Sequence, residues 1–164
     1  MFTATGADAY GNPLPITPIW STDAGVMTGN TLTAQTTPAA GLHVTATVGA
    51  VSGSAVVNIV AGPLVRLEIA PTSVTLPMRA QQQFSAIGYD AYGNPLAGLS
   101  LIWQVLDDDA GTIDGAGLFT AGTVAGVFDA TLVVQSGSVS ATADVVVVWP
   151  CQVYLPIVAL NAGQ

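Results

Sequence analysis

The chain alternates in twos. Val65, Leu67 and Ile69 alternate with Arg66 and Glu68, the pattern of a strand with one face buried and one in water. Pro71 ends it. Residues 82–89 predict a second strand, closed by a turn from Asp90 to Pro95. Leu101, Trp103 and Val105 share one face of a third. Residues 130–135 and 139–148 predict a closing hairpin across Ser136-Gly137-Ser138. No stretch carries the period of an amphipathic helix. Short strands spaced about 8–12 residues apart, punctuated by Gly and Pro, predict an all-β chain of antiparallel β-sandwiches.

The pattern occurs twice. Asp8-Ala9-Tyr10-Gly11-Asn12-Pro13-Leu14 returns 82 residues later as Asp90-Ala91-Tyr92-Gly93-Asn94-Pro95-Leu96. Upstream, Phe2-Thr3-Ala4-Thr5-Gly6 faces Phe84-Ser85-Ala86-Ile87-Gly88. Downstream, Ile19-Trp20 faces Ile102-Trp103, and Asp23-Ala24-Gly25 faces Asp109-Ala110-Gly111. Gly29 with Leu32 faces Gly115 with Leu118, and Ser54-Ala55 faces Ser140-Ala141. The offset drifts from 82 to 86, so the insertions fall in loops. Trp20 and Trp103 are the expected core anchors.

Several segments carry a family resemblance. They are Leu67-Glu68-Ile69-Ala70-Pro71, Gln83-Phe84-Ser85-Ala86, the repeated Asp-x-x-Gly-Asn-Pro turn, Ile102-Trp103, and Gly111-Thr112-Ile113-Asp114 leading to Gly117-Leu118-Phe119. Over Phe2 to Val148 the chain resembles the bacterial immunoglobulin-like domains of intimin- and invasin-type surface proteins. The resemblance implies two tandem immunoglobulin-like sandwiches on a secreted or cell-surface bacterial protein. It speaks to fold more than to function, because such domains serve adhesins, fibres and enzyme accessory modules alike.

The expected organisation is a first domain at 1–61, a second at 62–149 and a tail at 150–164. The first lacks the opening strand that Val65, Leu67 and Ile69 supply to the second. Its core is expected from Phe2, Trp20, Leu32, Val44 and Ile59. The tail carries the converse. At an offset of 88, Val153, Leu155 and Ile157 fall on Val65, Leu67 and Ile69, and Tyr154 and Pro156 replace Arg66 and Glu68. Val153, Tyr154, Leu155, Ile157, Val158 and Leu160 therefore read as a donor strand, apolar on both faces. One solution is donation of this strand to the next molecule, head to tail. The other is a fragment whose upstream strand is missing, with a tail that packs on its own domain or tethers it. Met1 runs into Phe-Thr-Ala-Thr-Gly with no basic region or apolar core of a leader, so a removed leader or a fragment is expected.

Charge then narrows the partners. Ten acidic residues face two arginines and no lysine, for a net charge of −8. Nucleic acid and anionic membranes are disfavoured, since both are bound through Lys and Arg. The most apolar stretch, 145–160, is broken by Pro150, Gln152 and Pro156, so no membrane insertion is expected.

Candidate chemistry is sparse. His43 is the single histidine and Cys151 the single cysteine, which excludes an ordinary zinc site and an intrachain disulfide. No nucleophile elbow or phosphate loop occurs. Asp107, Asp108, Asp109 and Asp114 offer oxygen ligands for calcium, but the first copy has Ser21-Thr22-Asp23 there, and a solvated acidic loop is the simpler reading. Tyr10 and Tyr92 are expected to cover their own sandwich edges rather than stack on a sugar. No catalytic residue, metal or cofactor is expected, and the chain is read as a non-enzyme. The leading expectation is an extracellular filament or sheath subunit whose partner is itself. The alternative is a stalk or adhesive module that binds glycans or other surface proteins. A weaker third is an accessory module of a secreted hydrolase.

Overall fold

The computed structural model describes residues 1–150. Among them there is no helix; the fold is all-β. The described chain divides into two compact units, Met1–Val65 with Gly88–Ala97, and Arg66–Ile87 with the described residues from Gly98 to Pro150.

The first seven strands are β1 (Gly6–Ala7), β2 (Pro13–Leu14), β3 (Ile19–Thr22), β4 (Gly25–Thr28), β5 (Thr31–Ala34), β6 (Ala39–Val48) and β7 (Val51–Ile59). β1 pairs with β2 across the Asp8 turn. β4 and β5 form a hairpin, and β3, β6 and β7 form a sheet in that order. All these pairings are antiparallel.

The later strands are β8 (Arg66–Ala70), β9 (Ser73–Pro77), β10 (Gln81–Gln83), β11 (Ser85–Tyr89), β12 (Pro95–Leu96), β13 (Ile102–Val105), β14 (Gly111–Ile113), β15 (Leu118–Ala121), β16 (Gly126–Ser136) and β17 (Val139–Val148). They form sheets in the orders β13–β16–β17–β9, β12–β11–β8 and β10–β15–β14. Inward side chains of these sheets meet in one core of Ile69, Phe84, Phe119, Ala121, Leu132, Val134, Ala143, Val145 and Val147. Phe84 stands edge-on to Phe119, their ring centroids 6.1 Å apart. The alternation in β17 follows the pleat: Ala143, Val145 and Val147 are buried while the residues between them are more open.

The structure refines the reading in several places. β9 pairs parallel with β17, from Ser73 opposite Asp144 to Pro77 opposite Val148, so the second sandwich is not purely antiparallel. The strand expected over 82–89 is two strands. It switches sheets at Phe84, whose N–H donates to the Gly117 carbonyl. Trp20 and Trp103 are half-buried rather than enclosed. Val65 lies one residue before β8 and is exposed, whereas Leu67 and Ile69 are buried.

Ladder register also corrects the repeat alignment. Trp20 sits opposite Ala46 and Ala46 opposite Gly53; Trp103 sits opposite Val134 and Val134 opposite Ala141. Gly53 therefore matches Ala141, and Ser54-Ala55 matches Thr142-Ala143 rather than Ser140-Ala141. Likewise Leu32, opposite Met27, matches Phe119, opposite Ile113, not Leu118.

Candidate functional site

The first unit carries an open apolar groove of about 500 Å³. Its lining includes Phe2, Leu14, Ile16 and Trp20, with Val44, Ala46 and Val48 of β6 and Val51 and Ala55 of β7. Phe2 packs on Trp20 with ring centroids 6.3 Å apart. Its N–H donates to the Asn30 carbonyl at 2.7 Å, and Asn30 Nδ2 donates back to the Phe2 carbonyl at 2.9 Å. No charged side chain lines the groove. Among the described residues that line it there is no carboxylate, imidazole, amine or thiol.

The second repeat shows what such a place holds. There β8 lies beside β11, and β9 lies along the outer edge of β17. In the first unit β1, the counterpart of β11, pairs only with β2, and β7, the counterpart of β17, is an edge strand. Among the described residues nothing occupies either position. Of the residues expected in the acceptor core, Val44 is fully buried; Phe2, Trp20, Leu32 and Ile59 are half-buried. Phe2, Trp20 and Val44 line the groove; Leu32 and Ile59 do not. The donor residues Val153, Tyr154, Leu155, Ile157, Val158 and Leu160 lie outside the described residues. Sequence reasoning missed Ile16, Val48 and Val51 as groove residues. It also missed the β9 position, although Val74 and Leu76 alternate with Ser73, Thr75 and Pro77.

The repeated turn is a second feature. Asp8 Oδ1 accepts the N–H groups of Tyr10 and Asn12 at 2.9 and 2.8 Å, and Oδ2 accepts Asn12 Nδ2 at 2.9 Å. Asp90 repeats this with Tyr92 and Asn94 at 2.8, 2.9 and 2.8 Å. These donors favour the charged carboxylate. Asn12, through its side chain first, holds Asp8 below the usual carboxylate range. Asp90 is pushed down to about 2, chiefly by the Asn94 side chain, and burial opposes the shift. Tyr10 and Tyr92 do not cover sandwich edges: they are 92% and 69% exposed.

The remaining candidates are isolated. His43 is exposed, its backbone N–H donating to Asp23 Oδ1 at 2.6 Å and its Nδ1 lying 3.9 Å from Asp23 Oδ2, and among the described residues no serine joins these contacts. Asp107 Oδ1 accepts the Asp109 N–H at 3.0 Å in an exposed loop. Among the described residues no group of three or more His, Cys, Asp or Glu is placed to hold a metal ion, and no helix is long and apolar enough to cross a membrane.

No family model matches the sequence, and no curated protein matches it. The fold is similar to solved structures of the S-layer protein SbsC. One crystal structure of that protein shares 20% identity at a TM-score of 0.50, covering 93% of this chain and 23% of that one. A structure of its domains 4 and 5 aligns at a TM-score of 0.47 with 20% identity, over 89% of this chain and 80% of that one. This chain thus spans about a quarter of the longer structure, and the likeness is one of fold.

Proposed function

We propose that this chain is a non-enzymatic structural protein of the bacterial cell surface or extracellular space. Its two repeats are tandem immunoglobulin-like domains, 1–61 and 62–149. It assembles head to tail, each copy lending its segment from Val153 to Leu160 to the groove in the first unit of the next. The observation that carries this reading is the uncharged groove, open where β8 and β9 close the second repeat. The tail segment suits that groove: it has no charged residue, and Val153, Leu155 and Ile157 match Val65, Leu67 and Ile69. Burying each large side chain contributes about 1.5–3 kcal/mol. A slip of one residue turns these side chains to the wrong face, so the register is fixed. Pro156 has no N–H and must point that position away from the ladder. Likeness in fold to an S-layer protein fits a surface role.

Electron microscopy and sedimentation test the reading. The full chain is expected to form filaments, and a chain cut after Gln152 to form none. A synthetic peptide of residues 153–160, added to the cut chain, is expected to blue-shift the emission of Trp20, with Trp103→Phe and Trp149→Phe removing the other indoles. Filaments that survive the truncation, or a peptide that leaves Trp20 unchanged, would show that the groove takes some other segment.

A further inference from the structure

The two Asp-x-x-Gly-Asn-Pro turns are built alike, but they differ in what they touch. The Asp90 turn is docked. Its Asn94 Nδ2 donates to Asp90 Oδ2 and also to the Thr36 carbonyl at 2.8 Å. Its Asp90 Oδ2 accepts the Gly62 N–H at 2.9 Å. Asp90 is accordingly buried, at 3% exposure. The Asp8 turn has the same internal bonds, yet Asn12 Nδ2 makes no second bond among the described residues, and Asn12 is exposed.

We propose that the Asp8 turn is a preformed docking joint for a second copy of this chain, and that Asn12 Nδ2 donates there to the Thr123 carbonyl of that copy. The choice of Thr123 comes from register. Thr36 lies in the loop between β5 and β6. The Gln35 N–H donates to the Ala24 carbonyl at 2.9 Å, and the Gly122 N–H donates to the Ala110 carbonyl at 2.8 Å. Because Asp23-Ala24-Gly25 matches Asp109-Ala110-Gly111, Gln35 matches Gly122 and Thr36 matches Thr123. The loop between β15 and β16 that carries Thr123 is exposed, and Val124 beside it is 45% exposed. One half of the contact seen at Asp90 is thus present at the Asp8 turn, and the other half at the β15–β16 loop. The joint has one fewer bond than its counterpart: at the offset of 88 Gly62 matches Pro150, which has no N–H.

The inference rests on the head-to-tail assembly proposed above and adds a second contact to each junction, independent of the groove. Cross-linking tests it on the full chain. Asn12→Cys and Thr123→Cys are made separately, each with Cys151→Ser, then mixed and oxidised. Disulfide-linked heterodimers are expected at least tenfold above those from Asn12→Cys mixed with Ser138→Cys in the same background. Asn12→Ala is expected to weaken association roughly three- to tenfold, as loss of one hydrogen bond does. A cross-link no stronger than the control overturns the joint. Sedimentation of the chain cut after Gln152 separates the two proposals. If truncation abolishes polymers but the cross-link never forms, the joint fails and strand donation stands. If polymers survive truncation and the cross-link forms, strand donation fails and the joint stands. A chain that never self-associates overturns both.

Discussion

The two repeats share a frame and differ in how far their cores close. Phe84, Phe119, Ala143, Val145 and Val147 are at most 1% exposed. Their counterparts by register, Phe2, Leu32, Val57 and Ile59, are half-buried, and Ala55 is exposed. The central pair is the exception: Val44 and its counterpart Leu132 are both sealed. The difference lies in β8 and β9, which bring Ile69, Val74 and Leu76 over the second core and, among the described residues, have no equivalent over the first. Two short strands therefore decide how far this frame closes its core. The ladders β3–β6–β7 and β13–β16–β17 need neither strand, because their hydrogen bonds are made within the frame.

The largest expected effect tests that contrast directly. Phe84→Ala should cost about 3–5 kcal/mol in urea unfolding. Phe2→Ala, at the matching but half-open place, should cost under about 2 kcal/mol. Equal costs would mean that the first core is already closed. Next come the glycines that both repeats need. Gly25 and Gly111 have φ of 144° and 142°, and an added Cβ would run into the carbonyls of Thr33 and Thr120. Gly25→Ala and Gly111→Ala should each lose about 1–3 kcal/mol, alike in the two units, confirming a common frame by thermal melts.

A smaller effect separates the two turns by pH. The folded pKa of Asp90 is about 2, below its ordinary 3.8. The folded state therefore binds fewer protons than the unfolded one between these values. The turn's stabilisation is present above about pH 4 and is lost as pH falls through about 2. Asp90→Asn places an amide donor or a weaker acceptor against the Gly62 N–H and Asn94 Nδ2. It should lower the melting temperature at pH 7 and flatten the acid arm of the stability curve. Asp8→Asn should act in the same direction but less, since its turn lacks the bonds to Gly62 and Thr36. Smallest of all, Tyr10→Ser and Tyr92→Ser should each stay within about 0.5 kcal/mol of the parent, because both rings stand in water. A larger loss at either would reveal a packing contact for that ring.

What the sequence revealed follows from where side chains alternate. β17 and the burial of Leu67 and Ile69 were legible because each strand has one wet and one dry face. β9 was overlooked because Pro71 reads as a stop and Pro77 as a breaker; a parallel strand that pairs with β17 at a sheet edge tolerates both. The split at Phe84 was hidden because a strand that changes sheets keeps its alternation. The groove was foreseen only through the missing counterpart of β8. Its walls at Ile16, Val48 and Val51 depend on which strand edges stay open, and single-strand periodicity carries no such information. The docked and free turns are identical in sequence, so only their neighbours distinguish them.

The turn after β9 has a consequence for proteolysis. With no lysine, trypsin has only Arg66 and Arg79 to cut. Arg66 lies within β8, whereas Arg79 is exposed, between β9 and β10, with φ of 65°. A nick after Arg79 would leave β8 and β9 on one fragment and β10 to β17 on the other. Held then without a covalent link, the two pieces become a complementation pair that can be parted in denaturant and recombined. Their dissociation constant would measure, inside this one molecule, the grip on β8 and β9 together with the bonds of the Asp90 turn to Gly62 and Thr36.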